Sequence, residues 1–289
     1  MPIHFADRLL SACANKGAPV CVGLDPVYEK LPAELKKLEP VEAIERFSMG
    51  ILEASAPHVP CVKPQAACYE RHGAEGYAVY HRVTRAAKDM GLIVVGDAKR
   101  GDIGTSSAHY AAGLLAGPGG CDALTVNGYL GADGIEPFFE VAQKEGKGLF
   151  ALVRTSNPGG DAIQRLRLAD GRSIAEAVGD AVAELGRKSV GNCGYSLLGA
   201  VVGATKKEDA AALRARLPQQ IFLVPGFGAQ GGSADDVRAC FKADGTGAII
   251  TASRSVIFAF EGKTGDWKNH VAAGAKDLKL QIQEILRHV

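Results

Sequence analysis

The chain has 289 residues, 47% hydrophobic and 22% charged, with a formal net charge of +1. That composition is ordinarily globular and sufficient for a large core, and the small charge gives no extended basic surface for nucleic acid. No apolar run approaches the roughly 18 residues of a membrane helix, and the acid and base at Asp7 and Arg8 stand where a signal peptide would be apolar.

Residues 4–15 read as a first helix, followed by a short apolar strand, Pro19 to Leu24, stopped by Asp25-Pro26. Residues 41–56 are helical in pattern, with Val41, Ile44, Phe47, Ile51 and Leu52 on one side. A second strand, 59–65, carries Lys63 near its end, and a helix runs from about Glu75 to Met90. The third strand begins at Gly91 as a β-branched run and ends in charge, Asp97-Ala98-Lys99-Arg100-Gly101-Asp102-Ile103. A helix over 105–116, the strand Ala123 to Asn127 and a helix near 134–145 follow. The fifth strand spans 149–156, and residues 157–172 form a long polar loop rich in glycine and arginine. A helix from Ser173 to Lys188, a strand 198–204, a helix 207–216, a strand 221–226, a helix starting near Ser233, a strand 247–254 and a long amphipathic helix over about 268–288 complete the chain.

Eight short buried strands alternating with helices predict an α/β protein, a (β/α)8 TIM barrel forming a single domain over residues 1–289. An open doubly wound sheet is disfavoured because no Gly-x-Gly-x-x-Gly follows the first strand. The seven cysteines, an odd number without zinc-ligand spacing, are expected to be buried free thiols of a reducing cytoplasm, with no metal site.

In such a barrel the carboxyl ends of the strands converge on one mouth. Asp25, Lys63, Asp97, Lys99, Ser156 and Arg254 all fall at strand ends. Strand alternation places Ile93, Val95, Asp97 and Lys99 on one face. Asp-x-Lys alone is more simply a structural ion pair, but six polar ends at one mouth would lose hydration without partners. After strand seven comes Pro225-Gly226-Phe227-Gly228-Ala229-Gln230-Gly231-Gly232, and after strand eight Ser253-Arg254-Ser255. Glycines admit backbone N–H groups to an anion, and Arg254 adds a bidentate fork, so these loops read as a phosphate site. His81, His109 and the Lys36-Lys37 and Lys206-Lys207 pairs read as packing or solvated groups, and Arg154 as either a catalytic cation or a brace for the mouth.

Asp97-Ala98-Lys99-Arg100-Gly101-Asp102-Ile103, with Gly23-Leu24-Asp25-Pro26, Val62-Lys63-Pro64, Gln230-Gly231-Gly232 and Arg254, resembles the signature set of the orotidine 5′-phosphate decarboxylases, in their longer bacterial subgroup. The resemblance spans residues 20 to 255 and implies a pyrimidine-biosynthetic carboxy-lyase acting without cofactor. It implies Lys99 as proton donor to C6, Asp97 beside the substrate carboxylate, and Lys63 holding Asp97 and a ribose hydroxyl. It places Asp25 on the ribose 3′-hydroxyl, Ser156 or its neighbour Thr155 on the pyrimidine edge, and Gln230, Gly231 and Arg254 on the phosphate. Asp102, with Ser106 or Thr105, would reach the 2′-hydroxyl in the neighbouring subunit of a homodimer. Lys63, Asp97, Lys99 and Asp102 would form an alternating charge array, and loops 157–172 and 225–232 would close over substrate, with Gly159 and Gly160 as hinges. The competing readings are a magnesium-dependent sugar-phosphate barrel enzyme, disfavoured by a lysine at position 63, and a non-catalytic nucleotide-phosphate sensor, which has no need of the charged set.

Overall fold

The computed structural model describes residues 2–117, 119–204, 207–228 and 232–289. Its eight strands are β1 Val20–Leu24, β2 Cys61–Pro64, β3 Ile93–Arg100, β4 Ala123–Asn127, β5 Gly148–Arg154, β6 Leu198–Val202, β7 Phe222–Pro225 and β8 Ala248–Ala252. All neighbours are parallel, and β8 pairs with β1 in the register Val20↔Ile250, Cys21↔Thr251, Val22↔Ala252, which closes the ring. These segments are strands because each is a short, mostly apolar run bounded by glycine, proline or a polar residue. Burial on both faces leaves them no alternating polar pattern.

Two cores result. The outer one lies between strands and surrounding helices, and the inner one fills the barrel with residues such as Cys21, Ile93, Val95, Phe150 and Leu223. The helix Phe5–Lys16 plugs the amino-terminal end of the barrel. Its Phe5 meets Phe150 edge-on at 6.0 Å, and a side chain at Gly148 would collide with the Phe5 ring. Phe5→Ala is therefore expected to cost about 3–5 kcal/mol, seen in a denaturant melt, without touching the opposite end. The helix Pro40–Ser55 carries Phe47, whose ring stacks on Phe258 at 5.9 Å and meets Trp267 at 5.2 Å. Trp267 opens the long helix Trp267–Leu286, so this aromatic contact ties the two ends of the chain together outside the β1–β8 seam.

The elements match the sequence expectations closely, with local exceptions. A single helical turn, Ala66–Glu70, follows β2 directly. The 157–172 segment is not wholly irregular: Pro158–Gly160 and Asp161–Gln164 form successive helical turns. All seven cysteines are outside disulfides, five of them buried, and burial pushes the Cys13 thiol up to about 12. Among the described residues no helix is long and apolar enough to cross a membrane, and no group of three or more His, Cys, Asp or Glu could hold a metal ion.

Candidate active site

At the carboxyl ends of the strands lies a cavity of about 440 Å³, of the size that holds a nucleotide-sized ligand. Asp25, Lys63, Asp97, Lys99, Ser156 and Arg254 all line it. Its lower wall is apolar, built from Leu152, Val201 and Leu223 of the barrel interior.

Asp97 is the hub. Its Oδ2 accepts from Lys63 Nζ at 2.5 Å and from Gln65 Nε2 at 3.1 Å. Its Oδ1 accepts from Lys99 Nζ at 2.5 Å and from the Thr125 hydroxyl at 3.1 Å. Four donors therefore occupy one carboxylate. Burial alone would push the Asp97 carboxyl up, but the Lys63 and Lys99 charges outweigh it and hold the group well below the usual carboxylate range. Burial alone would likewise lower the Lys63 ammonium, and Asp97 and Asp25 reverse that and raise it. Lys63 and Asp97 are nearly enclosed, at 8% and 9% side-chain exposure, whereas the Lys99 side chain is 48% exposed and reaches into the cavity.

Lys99 shares the cavity face with Asp97, as the alternation predicts, but reaches it through irregular backbone. Its φ is 48°, and the β3–β4 register shifts between Gly96 and Arg100. A left-handed residue at this point turns the chain, and the ammonium bends back to Asp97 two residues earlier. Beyond the turn Asp102 lies outside the cavity, with Oδ1 accepting from its neighbour Ile103 N at 2.8 Å. Within one chain the charge array thus has three members, Lys63, Asp97 and Lys99. Ser106 and Thr105 sit exposed on the helix Gly104–Leu115, also outside the cavity.

Asp25 follows β1, where Gly23 allows close packing against the Ser253 hydroxyl after β8. Its Oδ1 is buried without a hydrogen-bond partner, an acceptor that a bound ligand would satisfy. Both Thr155 and Ser156 line the cavity. The Thr155 hydroxyl is committed, donating to Asn157 Oδ1 at 2.6 Å and accepting from Gln164 Nε2 at 2.8 Å, whereas Ser156 Oγ has no partner among the described residues.

Arg154 leaves the mouth. The β5–β6 register shifts between Leu152 and Arg154, and the guanidinium is fully buried against Asp161 (2.5 Å), Asp209 (2.8 Å) and Gln164 (3.1 Å). This brace fixes the 158–164 turns, and Gly160 packs against the Thr155 hydroxyl. Gly159 and Gly160 thus belong to a tethered turn. Arg254 is not a strand residue as expected: it opens the helical turn Arg254–Ile257 one residue past Ser253, because β8 ends at Ala252. It still faces the cavity, together with Gly226 and Phe227. The expected phosphate contacts Gln230 and Gly231 lie outside the described residues.

Sequence reasoning missed Gln65 and Thr125. Each had a signal: Gln65 lies two residues past Lys63, and Thr125 is a polar residue at an inward position between the apolar Leu124 and Val126.

The profile of the orotidine 5′-phosphate decarboxylase / HUMPS family matches residues 18–264. An orotidine 5′-phosphate decarboxylase of Rhodopirellula baltica is 42% identical, over 96% of this chain and 99% of its own length. One of Clostridium novyi is 41% identical over 96% of this chain and 98% of its own. The structure of Leishmania donovani OMP decarboxylase superposes with a TM-score of 0.80 at 32% identity, covering 99% of each chain. Likeness over nearly the whole length, on a barrel whose strand ends gather the signature lysines and aspartate, means that this chain belongs to the orotidine 5′-phosphate decarboxylase / HUMPS family.

Proposed function

We propose that the chain converts orotidine 5′-phosphate to uridine 5′-phosphate and carbon dioxide, as a step of pyrimidine biosynthesis in the cytoplasm, without cofactor. The observation that carries this reading is Asp97 gripped by Lys63 and Lys99 in the same cavity as Arg254. The bond from C6 to the carboxylate breaks, the electron pair stays on C6, and Lys99 delivers a proton there as carbon dioxide leaves. That carbanion has little resonance stabilisation, so fixed charge must supply it. Lys99 gains as negative charge grows, while Asp97 sits beside the departing carboxylate. The apolar wall of Leu152, Val201 and Leu223 suits a neutral leaving molecule. Both Asp97 oxygens already accept from ammonium groups, which weighs against a divalent cation there and so against the sugar-phosphate reading.

The remaining roles are those the family resemblance implies, and the cavity lining supports them for Lys63, Asp25, Ser156 and Arg254. Lys63 fixes Asp97 and reaches a ribose hydroxyl, and the orphaned Asp25 oxygen takes the 3′-hydroxyl. Ser156, unlike the committed Thr155, is available to the pyrimidine edge. Arg254 holds the phosphate with Gln230, Gly231 and backbone N–H groups of their loop. Arg254→Ala is expected to remove about 2 kcal/mol of charged hydrogen bonding, raising KM roughly 30-fold. Orotidine without its phosphate should lose kcat as well as affinity. The reading is tested by the loss of orotidine 5′-phosphate absorbance with and without chelator: inert protein, or chelator-sensitive turnover, would sink it.

Asp102 and Ser106 lie on the surface of one chain and fit a homodimer in which they complete the partner's site. Ile103 (60% exposed), Tyr129 (75%) and Leu130 (45%) are large apolar groups near Asp102, and Gly134 packs against both Leu130 and the Asp102 carbonyl. A second copy would cover them. Mixing Lys99→Ala with Asp102→Ala protein should restore roughly a quarter of wild-type sites by random assortment. No restoration after subunit exchange would count against a shared site.

A further inference from the structure

We propose that Thr125 is a positioning residue for this reaction: its hydroxyl locks the left-handed turn that carries Lys99 and thereby aims the Lys99 ammonium into the cavity. A threonine hydroxyl has one proton and two acceptor sites, and all three are in use. The oxygen accepts from Ala98 N at 3.0 Å and Lys99 N at 2.9 Å. The proton is shared between Asp97 Oδ1 at 3.1 Å and the Gly96 carbonyl at 3.4 Å. One side chain from β4 thus touches four consecutive residues, Gly96 to Lys99, across the break in the β3–β4 register. Where the ladder lapses, the hydroxyl replaces it.

The need for such a lock comes from the backbone. Among the described residues Lys99 is the sole non-glycine with positive φ, a conformation that a lysine holds only when its surroundings over-determine it. Thr125 is itself 1% exposed and cannot swing away. Gln65 also steadies Asp97, but it makes no bond to the Ala98 or Lys99 backbone. Removing the hydroxyl would orphan two N–H groups and release the turn, with Lys99 displaced from its aim.

The test compares Thr125→Val and Thr125→Ser with wild type at a temperature where circular dichroism shows all three folded. Thr125→Ala stands in should the valine variant not fold. Thr125→Val is expected to lose about 10²-fold in kcat, with KM and affinity for uridine 5′-phosphate changed by no more than about threefold, while Thr125→Ser keeps kcat within about threefold. Equal losses in the valine and serine variants would assign the effect to methyl packing and overturn the proposal, as would wild-type kcat in Thr125→Val. The proposal rests on the decarboxylase reading, and a crystal structure of Thr125→Val judges it separately. Lys99 leaving its positive-φ backbone supports the lock whatever the substrate, and Lys99 unmoved overturns it. Wild-type protein inert toward orotidine 5′-phosphate would instead overturn the functional reading.

Discussion

Lys99→Ala is expected to lower kcat on orotidine 5′-phosphate by about 10⁴-fold or more, because under the proposed mechanism one change removes both the proton donor and the cation that meets the developing charge. Binding of uridine 5′-phosphate should change far less, since Arg254, Asp25 and Ser156 remain in the cavity. Lys99→Arg should not rescue. Its charge persists, but the guanidinium does not surrender a proton near neutral pH, and its planar fork does not reproduce the 2.5 Å ammonium contact to Asp97. The backbone adds a separate consequence. At a φ of 48° alanine is strained where glycine is not, so Lys99→Gly should be about 1 kcal/mol more stable than Lys99→Ala while being equally inactive. Steady-state kinetics and denaturant melts of the three variants check this. An alanine variant within tenfold of wild-type kcat would remove Lys99 from the chemistry.

The second large effect concerns stability as much as rate. Lys63→Met strips Asp97 of its enclosed partner, and breaking a buried pair from one side costs about 3–5 kcal/mol. Both side chains are under 10% exposed, at 8% and 9%, so solvent does little to soften that cost. Lys63→Met with Asp97→Leu should regain much of the loss, as apolar groups replace both charges, yet stay inactive. If the double variant is no more stable than the single one, the buried pair is not the source of the loss. The pH dependence has a definite sign. Asp97 has its folded pKa lowered by Lys63 and Lys99 against burial, so the unfolded chain binds the proton more readily. The contribution is fully present above the unfolded value near 4 and declines as pH falls below it. Acid unfolding of Asp97→Asn should accordingly depend less steeply on pH in that range than that of wild type.

The architecture was legible because each strand of a closed parallel barrel is apolar on both faces and stops at a polar residue or a turn. The mouth was legible for a related reason: Asp25, Lys63, Asp97 and Lys99 are charges attached to otherwise apolar runs. Two departures from regular strand geometry share one physical origin. Strand alternation extrapolates a period of two through the last residues of a strand, and β3 and β5 both break register there. At β3 the break rotates Lys99 into a left-handed turn and leaves Asp102 on the surface. At β5 it sends Arg154 outward to Asp161 and Asp209, where its interaction with the following segment folds glycine-rich sequence into helical turns. Such tethers are long-range, and local pattern does not carry them. Thr125 escaped notice because a lone threonine in a strand is unremarkable until the four residues it holds are seen in space.

The seam between β1 and β8 bears on how the chain is made. Val20 leaves the ribosome early and finds its ladder partner only when Ile250 has been synthesised, and Phe47 waits longer still for Phe258 and Trp267. Until then the nascent chain holds an open sheet with two unpaired edges and an unsealed inner core. Contacts of such separation fold slowly and expose apolar surface in the interval. Synthesis of the last strand and helix should therefore be the step at which protease resistance appears, and chaperone demand should be greatest just before it.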